Sequence, residues 1–406
     1  MSHLYPLYPR PDITLVRGEG SRVWDDRGRV YVDLIGGIAV SALGHAHPRI
    51  LAAIEEQAGR LLHGSNLFHH PWQEPLAARL AALTGLSRVF FCNSGSESVE
   101  AALKLSRARA KGRGEPRRVE FVALEGSFHG RTAGALSVTS NAAYRAPFEP
   151  LLPGVTFIPP EERALAAAMS ERTAALLVEP IQGEGGVRVL PDSFLRAARE
   201  ACDEAGALLI ADEIQCGLGR TGDWFAYQRA KILPDLVCIA KPLACGLPLG
   251  ALIGREETAE FFGPGAHGST FGGGPLACRV GIEFLSVVQE EGLLEKVRIA
   301  GERATSALRA AASRCPAILD VRGRGLMIGV EIDRPATAVL EALRERGWLA
   351  GSSRQTVIRL LPPFMIEPEL FERFAADLEV LLGADAASFA PSPLPAAPAR
   401  KNGDTR

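Results

Sequence analysis

From about residue 75 to 255, short continuous apolar runs alternate with stretches whose apolar residues recur every three or four positions. The runs are Arg88-VFFC, Val119 to Leu124, Ala174-ALLVE, Ala207-LLIAD, Leu236-VCIA and Ala251-LIG. Strands covered by helices on both faces read this way, so the pattern predicts an α/β domain with a largely parallel sheet. Before it come strands over Arg22 to Trp24 and Val30 to Leu34, the Gly36-Gly37 stretch, and a helix from Pro48 to Leu62. After residue 280 the order changes. A long helical pattern to Arg314 leads to strands at Ile318 to Val321, Met327 to Ile332 and Val357 to Leu361, with helices near Ala336 to Arg346 and ending near Leu382. This order predicts a smaller α+β domain. The expected division is an N-terminal segment, 1–60, packing with the small domain; a large domain, 61–280; the small domain, 281–383; and an Ala/Pro-rich tail, 384–406, expected to be disordered.

The 406 residues are 47% hydrophobic with a net charge of -2, so a large core is available and no basic field marks a nucleic-acid or anionic-membrane partner. The opening MSHLYPLYPRPD has no basic stretch before an apolar core, and no apolar run is long enough to span a bilayer, so a cytoplasmic location is expected. The seven cysteines are scattered without a C-x-x-C pair, which predicts reduced thiols. Neither the His45/His47 pair nor His69-His70 has a metal-site spacing, and no metal is expected.

Lysine is scarce: only positions 104, 111, 231, 241, 296 and 401 carry it. Five sit among charges, on helices or in the tail. Lys241 instead follows the apolar run Leu236-VCIA and precedes the turn-rich P-L-A-C-G-L-P-L-G, at the strand end where open α/β sheets bind ligands. Desolvation there lowers its proton affinity and makes it an amine nucleophile toward an aldehyde. A second strand end carries Asp212-Glu213-Ile214-Gln215. A buried carboxylate at Asp212 would keep a pyridine nitrogen protonated, with Gln215 within reach of a phenolic oxygen; a metal or a helix cap is the alternative use of an acidic pair. Third, Asn93-Ser-Gly-Ser-Glu-Ser joins a strand to a helix, a turn whose backbone N–H groups at Gly95 and Ser96, with the Ser96 hydroxyl, would hold a phosphate; an ordinary N-cap is the plainer use. Lysine, carboxylate and phosphate loop together indicate pyridoxal 5'-phosphate. The G-x-G-x-x-G at 217–222 has the letters of a dinucleotide fingerprint, but no helical pattern follows it and no acidic residue stands about 20 positions on.

Several blocks extend the match in one order: GGIAVSALGHAHP (36–48), HGSNLFHHP (63–71), FFCNSGSESVEAALKL (90–105), SFHGRT (127–132), VEPIQGEGGV (178–187), ADEIQCGLGRTG (211–222), IAKPLACGLPLGA (239–251) and HGSTFGGGPLA (267–277). From Leu15 to Leu382 the chain resembles the class III (ornithine-type) aminotransferases, and most closely those acting on N-acetylornithine. The resemblance implies the fold type I architecture of pyridoxal-phosphate transferases, with a seven-stranded sheet, and a homodimer with shared active sites. It implies that Lys241 carries the cofactor as a Schiff base, that Phe128 stacks on its ring, and that Thr270 completes the phosphate site of the neighbouring subunit. Arg131 would bind the substrate carboxylate with Ser269 beside it. Glu184 and Arg359 would pair for the basic substrate and separate when Arg359 takes the α-carboxylate of glutamate. The expected reaction moves the terminal amino group of N-acetylornithine to 2-oxoglutarate, as in arginine biosynthesis. Ile38-Ala39-Val40 replaces the aromatic of relatives that use free ornithine. Pro242, Cys245, Gly274 and Ser96 depart from the usual residues; succinylated amines, carrier-linked lysine, ornithine and 4-aminobutyrate stay open as substrates, and an aminomutase or a non-catalytic cofactor-binding protein as other uses of the scaffold.

Overall fold

The computed structural model describes residues 3–383; the stretch 384–406, expected to be a disordered tail, lies outside the described residues. At the centre is a sheet of seven strands. We number them in chain order: β1 Arg88–Cys92, β2 Glu120–Leu124, β3 Val155–Ile158, β4 Thr173–Val178, β5 Leu208–Asp212, β6 Leu236–Ile239 and β7 Gly250–Gly254. Their spatial order is β1-β7-β6-β5-β4-β2-β3. β7 runs antiparallel to both its neighbours, whereas β6, β5, β4, β2 and β3 pair in parallel. All residues of β4, β5, β6 and β7 are buried, as their unbroken apolar runs require.

Six of these strands coincide with the predicted runs to within a residue or two at their ends. β3 escaped prediction because it is a four-residue edge strand with an exposed position, which leaves no continuous apolar run. The predicted single helix to Arg314 is two helices, Pro275–Glu290 and Leu293–Ala312. Gly292 separates them with a left-handed φ of 61°, a backbone conformation that ends a helix and that glycine adopts without a Cβ clash.

The parallel strands matter to function because they finish at one edge. Asp212 lies in register with Cys238, and Ala211 with both Val178 and Val237. Glu179, which follows β4, Asp212, which ends β5, and Lys241, two residues past β6, are thereby delivered side by side. Four more strands form the C-terminal sheet, Ile318–Arg324, Met327–Ile332, Gly351–Ser353 and Val357–Leu360. A third sheet joins the N-terminal strands Leu15–Glu19, Arg22–Asp25 and Val30–Asp33 to Trp348–Leu349. No helix among the described residues is long and apolar enough to cross a membrane.

Candidate active site

One cavity of about 400 Å³ opens at the carboxyl edge of the parallel strands, and its walls include Gly95, Ser96, Phe128, Asp212, Gln215 and Lys241. Lys241 begins a single short turn, Lys241–Ala244, and its φ is +30°, a region that costs a residue with a Cβ energy. Such strain concentrates where geometry is imposed by function. Burial pulls the Lys241 ammonium below the ordinary lysine value; the Asp212 carboxylate opposes this, the Arg359 guanidinium reinforces it, and Glu184 and Glu179 oppose it further. Burial prevails. The amine is therefore easier to deprotonate than a solvated lysine.

Asp212 is 3% exposed. Its Oδ1 accepts the Ile214 N–H at 3.1 Å and its Oδ2 lies 2.7 Å from His129 Nδ1. Neither His129 nor Glu179 was singled out from the sequence. Burial alone would strip His129 of its proton, yet the hydrogen bond and charge of Asp212, joined by Glu179, leave its proton affinity above the ordinary value. Its Nε2 is buried without a partner. Glu179 accepts the Phe128 N–H at 2.8 Å, and burial pushes its carboxyl up to about 8. A signal for it existed: Glu179 is the first polar residue after an apolar run, as Asp212 is. Glu213, the other acid of the pair, turns away and accepts the N–H groups of Ala226 and Tyr227 at 3.0 and 2.9 Å.

The turn after β1 starts an 18-residue helix, Gly95–Gly112, whose N-cap Ser94 accepts the Glu97 N–H at 3.3 Å. Glu97 in return accepts the Asn93 N–H at 2.6 Å. Both plain capping and an anion site result, because the N–H groups of Gly95 and Ser96 have no intrahelical acceptor and line the cavity. Gly95 packs on Ile214 so closely that a Cβ would sit 2.8 Å from Ile214 Cδ1.

Around this cavity, Arg359 is 3% exposed and forms an ion pair with Glu184, while its Nη1 lies 3.4 Å from Gln215 Oε1. Ser269 Oγ accepts from Asn93 Nδ2, itself a wall residue, at 3.2 Å. Arg131 is exposed, its guanidinium 3.6 Å above the Tyr144 ring and 5.5 Å from that of Phe128. Thr270 is exposed and is not among the walls of its own chain's cavity.

Residues 7–382 match the family model described as aminotransferase class-III. The chain is a class III aminotransferase. The acetylornithine aminotransferase of Methanopyrus kandleri is 49% identical over 93% of this chain and 96% of its own length. That of Myxococcus xanthus is 45% identical over 90% and 92%. Among solved structures, ornithine aminotransferase from Toxoplasma gondii ME49 superposes with a TM-score of 0.89 at 35% identity, covering 93% of this chain and 91% of its own. The acetylornithine aminotransferase of Elizabethkingia anophelis gives 0.83 at 32% identity, covering 94% and 96%. Class III aminotransferases are pyridoxal-phosphate enzymes that move an amino group between an amino compound and a 2-oxo acid. The cavity of this aminotransferase fits that cofactor. It joins a helix start with free N–H groups, a buried carboxylate and a desolvated lysine, which are the three polar requirements of a phosphorylated pyridine aldehyde.

Proposed function

We propose that this aminotransferase moves the terminal amino group of N-acetylornithine to 2-oxoglutarate, acting as a homodimer in the cytoplasm. The observation that carries the reading is the convergence of Lys241, Asp212 and the Gly95–Ser96 turn on one cavity, with the Glu184–Arg359 pair beside Gln215. The substrate is favoured by relatives of 43–49% identity named acetylornithine aminotransferase, and by Val40, an aliphatic wall residue in the early loop.

When bound, pyridoxal phosphate supplies an electrophilic carbon and an electron-withdrawing ring. The N–H groups of Gly95 and Ser96, with the Ser96 hydroxyl, would hold the phosphate, Phe128 would cover the ring and Gln215 would hydrogen-bond the phenolic oxygen. Asp212 would keep the ring nitrogen protonated. Lys241 would hold the cofactor aldehyde through Nζ and, with that amine free, would serve as the base and acid that moves the substrate proton. Arg131 binds the substrate carboxylate, with Ser269 beside it, through the planar bidentate geometry of a guanidinium. Glu184 neutralises Arg359 while the N-acylated amine occupies the site and releases it to the α-carboxylate of 2-oxoglutarate.

The shared site rests on Thr270, which would reach the phosphate of the neighbouring subunit. An exposed apolar surface supports this: Leu67 and Phe68 are 85% and 72% exposed, and Phe271, next to Thr270, is 68% exposed. Asn66 ties the two segments together through the carbonyls of Ser269 and Gly272 at 2.9 and 3.0 Å. The reading is tested by mixing the enzyme with N-acetylornithine, ornithine, succinyldiaminopimelate or 4-aminobutyrate and following loss of the visible cofactor band. Fast bleaching by N-acetylornithine, reversed by 2-oxoglutarate, is expected. Bleaching by another amine alone overturns the substrate, and no bleaching by any overturns the transfer reaction.

A further inference from the structure

The turn that carries Glu184 is Gly183-Glu184-Gly185-Gly186, and its glycines are dictated by contact. A Cβ on Gly183 would fall 2.1 Å from Gln215 Oε1, and one on Gly185 would fall 2.7 Å from the Gly126 carbonyl oxygen. Gly186 has a φ of +101°, outside the range of residues with a Cβ. Glu184 is thus the one side chain the turn can present.

Both ends of this turn are held by one hydroxyl. Ser353 is 1% exposed; its Oγ–H donates to the Gly183 carbonyl at 2.6 Å and its oxygen accepts the Gly186 N–H at 2.9 Å. Arg322 Nε donates to the Gly186 carbonyl at 2.7 Å. Ser353 pairs with Val357 across the two strands Gly351–Ser353 and Val357–Leu360, and Arg359 lies on the second of them. The turn bearing the acid and the strand bearing the base therefore share one platform.

We propose that Ser353 is the positioning residue of the Glu184–Arg359 pair, fixing the backbone of both partners so that substrate alternation proceeds by side-chain rotation alone. This rests on the alternating role given to that pair above. A hydroxyl suits the task because it donates and accepts at once, and its removal strands the Gly186 N–H and leaves the Gly183 carbonyl only the Val187 N–H at 3.4 Å. With the turn loosened, Glu184 neutralises Arg359 less well, and the guanidinium becomes more available to carboxylates.

The test uses glutarate, a dicarboxylate that cannot exchange an amino group, titrated calorimetrically into the holoenzyme. Ser353→Ala should bind it roughly threefold to tenfold more tightly than the unsubstituted enzyme, the factor expected for one lost hydrogen bond. The same variant should lose preference for N-acetylornithine over glutamate as amino donor by a similar factor. Ser353→Thr, which keeps the hydroxyl, should restore both. A merely structural role would weaken glutarate binding and lower both donors together. Glu184→Gln is the control. If it tightens glutarate and Ser353→Ala does not, the positioning role is wrong; if neither tightens it, the pair does not alternate and both ideas fall. Should Ser353→Ala be insoluble, Arg322→Gln loosens the same turn from its other side, and unchanged glutarate affinity there overturns the proposal.

Discussion

His129 offers the sharpest test of how the site holds its charge. Its side chain is fully buried, its Nδ1 is 2.7 Å from Asp212 Oδ2, and the other carboxylate oxygen has the Ile214 N–H at 3.1 Å. In His129→Leu, Asp212 keeps only the backbone donor. A carboxylate that loses a donor in a buried place holds a proton more readily itself, and so competes for the proton it should leave on the ring nitrogen. Hydrogen bonds to charged groups contribute about 1.5–3 kcal/mol. Lost from the reacting state, that corresponds to roughly a tenfold to hundredfold slower transfer. His129→Asn supplies an amide N–H close to where Nδ1 stands and should recover most of the rate. The assay is the single-turnover amine half-reaction at saturating donor, with cofactor content and circular dichroism confirming that each variant is folded and loaded. A His129→Leu enzyme within about threefold of the parent, or equal losses in the Leu and Asn variants, would refute the coupling of His129 to Asp212.

Lys241→Ala should leave the fold intact and reduce amino transfer by orders of magnitude; retained turnover would move the proton-transfer role elsewhere. In the cofactor-free enzyme, burial lowers the Lys241 proton affinity, so the rate at which added pyridoxal phosphate condenses with it should rise with pH and level off below 10.5, the value of an unperturbed lysine; a plateau only above it would contradict the desolvated site. Glu213 holds its proton up to about 7, raised by burial from an ordinary value of 4.5. Its contribution to stability is therefore complete below about 4.5 and declines until about pH 7, as the unfolded chain ionises first. Thermal melts should show the stability of the parent relative to Glu213→Gln shrinking across that window, and a difference that grows with pH would reverse the assignment.

What could be read in the sequence and what could not has a single physical origin. Runs such as Leu208–Asp212 and Leu236–Ile239 announce themselves because every residue is buried from both faces. Val155–Ile158, half-covered at the sheet edge, does not. Lys241 stood out because lysine is scarce and a charge directly after an apolar strand is conspicuous. His129 belongs to a turn with no such contrast. Its neighbours Glu179 and Asp212 are 50 and 83 positions away, and only the strand order brings them to it. Ser353 is less visible still. A serine in a short polar stretch has many uses, and its two bonds to Gly183 and Gly186 span 170 and 167 residues.

The Gly217-Leu-Gly219-Arg-Thr-Gly222 segment shows how a motif can be real in its letters and different in its use. Gly219 and Gly222 have φ values of 96° and 88°, so the glycines are required by the path of the chain. That path carries Arg220 into the interior, where it is 1% exposed, donates from Nη1 to the Leu326 carbonyl at 3.1 Å and to that of Pro362, and lies 4.7 Å above the Phe364 ring. Burial lowers its proton affinity to about 9 against the opposing charge of Asp33, and while the two carbonyls and the ring face the guanidinium, its Nη2 is buried without a partner. The Leu326 N–H returns a bond to the Arg220 carbonyl at 3.0 Å. Leu326 directly precedes the strand Met327–Ile332, and Pro362 follows Val357–Leu360, the strand of Arg359. Because Ile328 pairs with Leu360, these two contacts lie side by side, and the segment leaving Asp212 and Gln215 is fastened to two neighbouring strands at one end of the platform that holds Arg359. Arg359 sits 3.4 Å from Gln215, and the partner exchange proposed for it would need this kind of fixed reference, because any slack between the two sheets would be added to the motion of the side chain.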